Sequence, residues 1–334
     1  MSQTTGLKRI VWSIDALLGD RTLLKKTESA LAALTDGSKI EIEPVYILSP
    51  DELAVSTNLT PPWVKQFRPA AEKALDDFVK KLKVKNLRKP QVIIQSQPGI
   101  RKSVDALVLH AKSSGADLIA VSTNARKGVS RLILGSFAET LLLHSAVPVF
   151  IVNPNSPETK KIKNVLFPTD LEASSRGLFE QITALCKTLE ADLRIYHKIP
   201  NPVEPLVASG AYLLGGTWVP VNTYFDKTTE LREKEAEKWV SEAKAKGVNA
   251  EYFVDSKPGS VSQAVLSDAK KHKIDLIAMA SQSGSFASAL LGSISRQIIR
   301  QAHCPIWILH PNAKVSKSGK KTKTTSKSGM TLYG

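Results

Sequence analysis

Residues 117–152 read DLIAVSTNARKGVSRLILGSFAETLLLHSAVPVFIV, and residues 275–309 repeat the pattern as DLIAMASQSGSFASALLGSISRQIIRQAHCPIWIL. Each copy begins with an apolar run led by an aspartate and passes through a loop of small residues to a Gly-Ser pair. An amphipathic segment, a proline and a second apolar run follow. This order predicts a strand, a loop, a helix and a second strand, so one structural module occurs twice.

The Gly-Ser pairs, Gly135-Ser136 and Gly292-Ser293, stand where each predicted helix begins. The first backbone N–H groups of a helix have no partner within it, and the helix dipole makes this end positive. A helix start of this kind can hold a phosphate group. The repeat therefore predicts a candidate phosphate site in each module.

Alternating strand and helix patterns surround each copy of the module. In the first half, apolar runs at residues 8–15, 39–48 and 91–97 predict strands, and residues 20–34, 62–83 and 100–113 have helical spacing. Strands that alternate with helices imply a parallel sheet covered by helices on both faces. We therefore predict an α/β fold made of two doubly wound domains, each with a parallel five-stranded sheet. Such sheets bind ligands at the carboxyl ends of their strands.

The repeat also predicts the domain boundaries. The first domain spans residues 1–153, a polar linker with two prolines spans residues 154–163, and the second domain spans residues 164–311. Residues 200–226 carry four prolines and interrupt the second domain as a long insertion. Residues 312–334 are rich in lysine, serine, threonine and glycine, and this composition predicts a disordered basic tail.

Composition limits the classes of function. The chain has 334 residues, 42% of them hydrophobic, and no apolar run reaches the ~20 residues of a membrane helix. The first residues lack the pattern of an export signal, so we expect a cytoplasmic protein without membrane association. The formal charge is +15, and six of the positive charges are lysines of the tail. The cysteines, Cys186 and Cys304, are predicted to be buried thiols, and the histidines have no metal-binding spacing.

The last strand of each domain is strongly apolar. Residues 148–153 (PVFIVN) and 305–310 (PIWILH) would each form an exposed edge in an isolated domain. We predict that the two edges pair with each other, which gives a pseudo-twofold dimer within one chain. The alternative is that each strand is covered by a helix of its own domain.

The repeated module resembles the universal stress proteins, and the resemblance covers nearly the whole chain twice. Nucleotide-binding members of that family have Gly-x-x-Gly, nine residues, and then Gly-Ser or Gly-Thr at this junction. The first copy has Ser122 and Ala125 in place of the two glycines, followed by the family's nine-residue spacing. The second copy has Ala280 and Ser283 at these places and is one residue shorter. The resemblance implies an adenine-nucleotide-hydrolase-like fold and ATP or AMP as the ligand.

The family pattern, carried over residue by residue, implies a ligand site in each domain. Asp15 and Asp170 match the acid near the base and ribose, and Ile47 matches an apolar position beside the base, whereas its counterpart is Lys198. An aspartate at a strand tip can also cap the next helix. The charges of Arg126 and Arg131 lie close to the first helix start, where they can meet an anion. The candidate residues are Asp15, Ile47, Ser122, Ala125, Arg126, Arg131, Gly135 and Ser136, and in the second domain Asp170, Gly292 and Ser293.

These observations favour a stress-response protein that is not an enzyme, with reduced nucleotide sites and weak ATP or AMP binding in the first domain. A side-chain β-carbon at Ser122 or Ala125 hinders the close backbone approach that glycine allows. No paired carboxylates, nucleophile elbow or Walker-type loop occurs in the sequence. Two alternatives stay open: an ATP-binding switch with slow hydrolysis, and a protein that contacts nucleic acid through its basic tail. A protein partner is expected but not identified.

Overall fold

The computed structural model describes residues 7–17, 19–51, 53, 57–123, 135–199, 221–280 and 292–309, with side chains omitted for 221–226. The first half contains β1 (Arg9–Ser13), α1 (Arg21–Leu34), β2 (Glu41–Leu48), α2 (Pro61–Val79), β3 (Gln91–Ile94), α3 (Ile100–Ser113), β4 (Leu118–Ser122), α4 (Ser136–His144) and β5 (Val149–Val152). The second half contains β6 (Asn164–Pro168), a short 3-10 turn (Ala173–Ser175), α5 (Arg176–Leu189), β7 (Asp192–Lys198), α6 (Val221–Ala245), β8 (Ala250–Asp255), α7 (Val261–Lys271), β9 (Leu276–Ala280), α8 (Ser293–Gln301) and β10 (Ile306–Leu309).

The described strands form one ten-stranded sheet in the order β3-β2-β1-β4-β5-β10-β9-β6-β7-β8. Within each half all neighbouring strands are parallel, and the order reverses between β1 and β4 and again between β6 and β9. The predicted fold of two doubly wound five-stranded domains is thus confirmed. The carboxyl ends of β1 and β4, and of β6 and β9, are the places where such a sheet opens a ligand cleft.

The two halves join where β5 and β10 pair in antiparallel orientation. This is the pairing that the apolar edges predict. Phe150, the second residue of β5, lies opposite Trp307, the second residue of β10, so the pseudo-twofold axis passes close to this pair. A half-buried ion pair joins the fourth residues of α4 and α8 across the same junction, with 3.0 Å between Glu139 Oε1 and Arg296 Nε.

The sheet separates two apolar clusters, and each cluster continues from one domain into the other. One cluster lies beneath α1, α2, α5 and α6, and includes the fully buried Trp12 and Trp239. The other lies beneath α3, α4, α7 and α8. Burial of a large aliphatic or aromatic side chain contributes about 1.5–3 kcal/mol, so the shared clusters favour folding of the two halves together.

The aspartate that leads each copy of the repeat has a structural role. Asp117 Oδ2 accepts hydrogen bonds from the backbone N–H groups of Lys8 and Arg9, at 2.8 and 3.0 Å. Asp275 Oδ2 accepts in the same way from Lys163 and Asn164, at 2.9 Å each. Each carboxylate therefore fixes the amino end of the central strand, β1 or β6. This accounts for the recurrence of the acid in both copies.

The linker packs against the first domain, where the Thr159 N–H donates to Ser29 Oγ at 3.0 Å. Residues 154–163 contain no helix or strand, but Ser156 and Ile162 are almost fully buried. Just before the linker, Asn153 is 1% exposed, and its Nδ2 donates to the carbonyl oxygens of Ile299 and Ala302 at 3.1 and 2.9 Å. This amide satisfies the last carbonyls of α8, so the last residue of the first domain holds the end of α8 in place.

Two predicted segments differ from the structure. The helix predicted at residues 62–83 ends at Val79, because the residues after it leave α2 to meet β2. The insertion predicted at residues 200–226 is shorter at its far end, since α6 begins at Val221. Residues 200–220 and the predicted tail, residues 312–334, lie outside the described residues. Over the part of the chain that is described, no helix is long and apolar enough to cross a membrane.

Candidate functional site

The first candidate cleft lies at the carboxyl ends of β1 and β4. Asp15 follows β1, Ser122 is the last residue of β4, and Gly135 precedes α4, so the topology brings these three positions to one edge of the sheet. Asp170, Ala280 and Gly292 have the corresponding places in the second domain. Ala125, Arg126 and Arg131 fall outside the described residues.

A tight turn follows β1 and presents Asp15. A β-carbon at Gly19 would lie 2.3 Å from the carbonyl oxygen of Asp15, a distance that the backbone cannot accommodate without moving. Glycine is therefore required for this close approach. Helix α1 has Asp20 as its N-cap, with Oδ1 accepting from the N–H groups of Thr22 and Leu23. The alternative that Asp15 serves as this cap is thus wrong.

In the second domain, Asp170 holds the backbone of its own loop. Its Oδ1 accepts a hydrogen bond from the backbone N–H of Glu172 at 3.0 Å and another from Ser175 Oγ at 2.6 Å. Leu171, which lies between Asp170 and Glu172 in the chain, has a φ of 59°. Ser175 has the N-cap position of α5, but its hydroxyl donates to Asp170 and makes no side-chain cap. Asp170 thus stabilises a left-handed turn that a leucine adopts at a cost.

The position beside the predicted base is apolar in one domain and charged in the other. Ile47, the seventh residue of β2, is 6% exposed and packs in an apolar cluster. The seventh residue of β7 is Lys198, which is also 6% exposed. Its Nζ lies 3.2 Å from Asp255 Oδ2 and also donates to the Lys257 carbonyl. The position that holds an apolar side chain in the first domain therefore holds one member of a buried ion pair in the second.

Asp255 also accepts a hydrogen bond from the hydroxyl of Tyr196, 2.7 Å from its Oδ2. Burial alone would raise the pKa of Asp255, but the hydrogen bonds from Tyr196 and from the Lys257 amide outweigh it and lower the pKa. Burial and the contact with the carboxylate raise the pKa of Tyr196. Tyr196, Asp255 and Lys198 thus form a cluster of one neutral phenol and one ion pair. This cluster lies at the place where the first domain has aliphatic side chains.

The two helix starts have ordinary backbone geometry. Gly135 and Gly292 have φ values of −58° and −61°, and neither helix has a side-chain cap. A β-carbon at Gly292 would approach no atom closer than 4.0 Å, so the fold itself does not require glycine there. Ser136 and Ser293 are the first residues of α4 and α8, as the sequence predicts. The first amides of a helix have no partner within it, so the starts of α4 and α8 can meet an anion.

Sequence reasoning missed a second buried ion pair in β7. Arg194 is 8% exposed, and its Nε and Nη2 bind Asp268 Oδ2 and Oδ1 at 2.7 and 2.9 Å, while Nη1 bonds Glu251. Burial alone would lower the pKa of Arg194, but its bonds to the two carboxylates raise it. A signal was present: Asp268 lies on the apolar face of α7, next to Ala269.

The matching position of the first domain has the opposite charge. Glu43 and Arg194 are the third residues of β2 and β7. Glu43 is 6% exposed, and its Oε2 lies 3.4 Å from His110 Nε2 on α3. The two copies therefore bury an acid on one strand and a base on the other, each facing an ionisable side chain of the helix that covers it.

The described residues offer no metal centre, since no group of three or more His, Cys, Asp or Glu side chains among them could hold an ion. Both cysteines are buried free thiols, as predicted. Burial raises the pKa of Cys186 to about 12 and raises that of Cys304 as well. Neither thiol is therefore a reactive thiolate at neutral pH.

The fold and the two strand-end clefts define a tandem protein of the doubly wound α/β class. The universal stress protein family model matches residues 7–153 and 161–310. The chain belongs to the universal stress protein family and carries its domain twice. No curated protein matches the sequence significantly.

Solved structures are similar over almost the whole chain. A universal stress protein from Archaeoglobus fulgidus DSM 4304 has 18% identity and a TM-score of 0.60, covering 92% of this chain and 97% of its own. A functionally unknown protein from Pseudomonas aeruginosa PAO1 has 11% identity and a TM-score of 0.58, covering 93% and 95%. A putative universal stress protein from Pseudomonas aeruginosa UCBPP-PA14 has 12% identity and a TM-score of 0.55, covering 94% and 97%. At these identities the similarity shows the fold.

Proposed function

We propose that this universal stress protein is a non-enzymatic stress-response protein in which the first domain binds ATP or AMP weakly and the second domain binds neither. The observation that carries the proposal is the contrast between Ile47 and Lys198. An aliphatic side chain can pack against a flat base. A buried lysine that is paired with Asp255 would lose this partner if a base displaced it, and breaking such a pair costs several kcal/mol.

Asp170 in the second domain already has a role in its own loop. Its Oδ1 accepts from Glu172 and Ser175, so a ribose hydroxyl at this oxygen would compete with bonds that hold the loop. Weak binding follows from Ser122 and Ala125, whose β-carbons stand where relatives have glycine.

The proposal predicts a gain of affinity when the missing glycines are restored. In the full chain, Ser122→Gly with Ala125→Gly is expected to raise ATP affinity at least tenfold. Relief of an unfavourable backbone conformation is worth about 1–3 kcal/mol, and each ~1.4 kcal/mol is tenfold. Isothermal titration calorimetry with ATP and AMP measures the change.

The second domain supplies the matched control. Ala280→Gly with Ser283→Gly should change ATP affinity by less than about twofold, because the loop is a residue short and Lys198 stands at the base position. Asp15→Asn should abolish the binding gained in the first domain, and Asp170→Asn should not affect it. Micromolar binding by the unaltered protein, or no gain from the first pair of glycines, would contradict weak binding in a hindered cleft.

A competing function is an ATP-driven switch with slow hydrolysis. It predicts phosphate release from ATP that depends on Asp15. The non-enzymatic proposal predicts the same rate of ATP loss with the full chain as in buffer. A rate that rises in proportion to protein concentration and falls in Asp15→Asn would favour the switch.

A further inference from the structure

The connection between α2 and β3 is the most cationic segment among the described residues. Residues 80–90 have the sequence KKLKVKNLRKP, with six basic side chains and no acidic one. The basic residues are Lys80, Lys81, Lys83, Lys85, Arg88 and Lys89. We refer to residues 80–90 as the cationic connection.

The second domain shows that the fold does not require these charges. Its corresponding connection, from the end of α6 to the start of β8, is formed by residues 246–249 and carries one basic residue, Lys246. Both connections lead from a long helix to the edge strand of the sheet. The first domain therefore has a longer and more basic segment at a place where a short, nearly neutral turn is sufficient.

The cationic connection is attached firmly to the domain. Val84 is 7% exposed in the apolar core, and the Lys83 backbone N–H donates to Glu28 Oε1 at 2.6 Å. Asn86, with a φ of 57°, donates from Nδ2 to the Ser38 carbonyl at 3.1 Å. The N–H of Arg88 donates to the Ile42 carbonyl at 2.8 Å. The lysines thus project from a backbone whose position is fixed, in contrast to lysines on a flexible chain.

The positive charge of this segment is largely uncompensated. Arg88 pairs with Glu41 at 2.8 Å, and Lys80 lies 3.7 Å from Asp77. Lys81, Lys83, Lys85 and Lys89 are exposed, and none of these four ammonium groups pairs with an acid elsewhere in the described chain. Lys8 and Lys39 are also exposed and precede β1 and β2, so they add positive charge at the same edge of the sheet.

Exposed lysines alternate with less exposed residues in the first part of the cationic connection. Lys81, Lys83 and Lys85 are exposed, whereas Leu82 is half-buried and Val84 is buried. Three uncompensated ammonium groups are thus presented within five residues. A nucleic-acid duplex carries one phosphate charge per about 1.7 Å of its axis, so a compact basic surface of this kind can meet several phosphates.

We propose that the cationic connection binds the phosphate backbone of nucleic acid without reading its sequence. Lysine is a point charge suited to phosphate oxygens, and the segment offers no side chain that is placed to read base edges. Its apolar residues, Leu82, Val84 and Leu87, are buried or half-buried, so it has nothing to insert into a lipid bilayer. The surface lies at the amino ends of the strands, opposite the candidate nucleotide cleft, and does not depend on it.

The test uses the full chain and a matched pair of variants. Lys81, Lys83, Lys85 and Lys89 are changed to glutamine in one, and Lys227, Lys234, Lys238 and Lys244 of α6 are changed to glutamine in the other. Both variants lose four charges and keep the basic tail, but the lysines of α6 lie among glutamates. Binding to a short fluorescent single strand and to the matching duplex is followed by anisotropy between about 50 and 200 mM salt.

We expect the first variant to bind about tenfold or more weakly than the unaltered protein, and its slope of log affinity against log salt to decrease by about 3. The α6 variant should lose less than about twofold. Equal losses in both variants, or no loss in the first, would overturn the proposal. The proposal would also be overturned if the first variant lost binding only to vesicles rich in phosphatidylserine and kept its binding to nucleic acid. That result would assign the surface to anionic membranes. Unchanged melting temperatures would show that both variants are folded.

Discussion

Replacing Arg194 by methionine is expected to lower the free energy of unfolding by about 3–5 kcal/mol, because it leaves the buried carboxylate of Asp268 without a partner. The guanidinium makes two bonds of 2.7 and 2.9 Å to this carboxylate inside the second domain. Methionine has a similar volume, so we expect most of the loss to come from the uncompensated charge and only a small part from a cavity. Urea denaturation followed by tryptophan fluorescence measures it, since Trp239 is buried in this domain.

Two further variants separate the buried charge from other causes. Arg194→Met with Asp268→Leu should regain most of the lost stability, because apolar residues of similar size often replace a buried pair without cost. Arg88→Met removes a partly exposed partner of Glu41 and should cost no more than about 1 kcal/mol. If Arg194→Met proves as mild as Arg88→Met, the pair contributes little and water must reach Asp268.

The second large effect is expected at the junction of the domains. Asn153→Asp should destabilise the protein at neutral pH by about 3 kcal/mol or more, since it loses two donated bonds and places a carboxylate against two carbonyl oxygens. The substitution keeps the shape of the side chain. Asn153 Oδ1 accepts hydrogen bonds from the backbone N–H groups of Asn155 and Ser156 at 2.9 and 3.1 Å, and the introduced carboxylate would still accept both. The loss therefore isolates the contact with the end of α8.

The pH dependence of Asn153→Asp gives a further check. An unpaired buried carboxyl has a pKa raised above its value in the unfolded chain, so its penalty is largest at neutral pH and shrinks as the pH falls towards about 4. Asn155→Asp is the control, because Asn155 is exposed and its Nδ2 lies 3.5 Å from the Arg300 carbonyl. Similar losses for the two variants, or a loss that does not change with pH, would argue against a buried junction bond.

The sequence predicted the fold because its signals are local and occur twice. Apolar runs, the Gly-Ser pairs and the aspartates before β4 and β9 recur in the same order, and the two apolar last strands predicted the pairing of β5 with β10. The candidate cleft followed from topology, since it needs only the strand ends. How well each cleft binds a nucleotide stays a prediction.

Asp268 on the apolar face of α7 indicates a buried charge, but the partner of each buried charge could not be predicted, because each pair depends on a contact between distant parts of the chain. Arg194 and Asp268 are 74 residues apart, and Asn153 lies 146 residues before Ile299. An arginine in an alternating strand is equally compatible with an exposed face, so its burial depends on α7. Lys198 departs from the family pattern in sequence, but only the structure shows that Asp255 and Tyr196 surround it.

The axis beside Phe150 and Trp307 has a consequence for recognition between the halves. In a dimer of identical domains, a residue on the symmetry axis must face its own copy, which forbids complementary charges there. Fusion into one chain removes this restriction, and the matching positions near the axis hold Glu139 and Arg296, which attract each other. Two first halves would bring Glu139 against Glu139, and two second halves would bring Arg296 against Arg296. These charges therefore favour pairing of each half with the other over pairing with a second copy of itself.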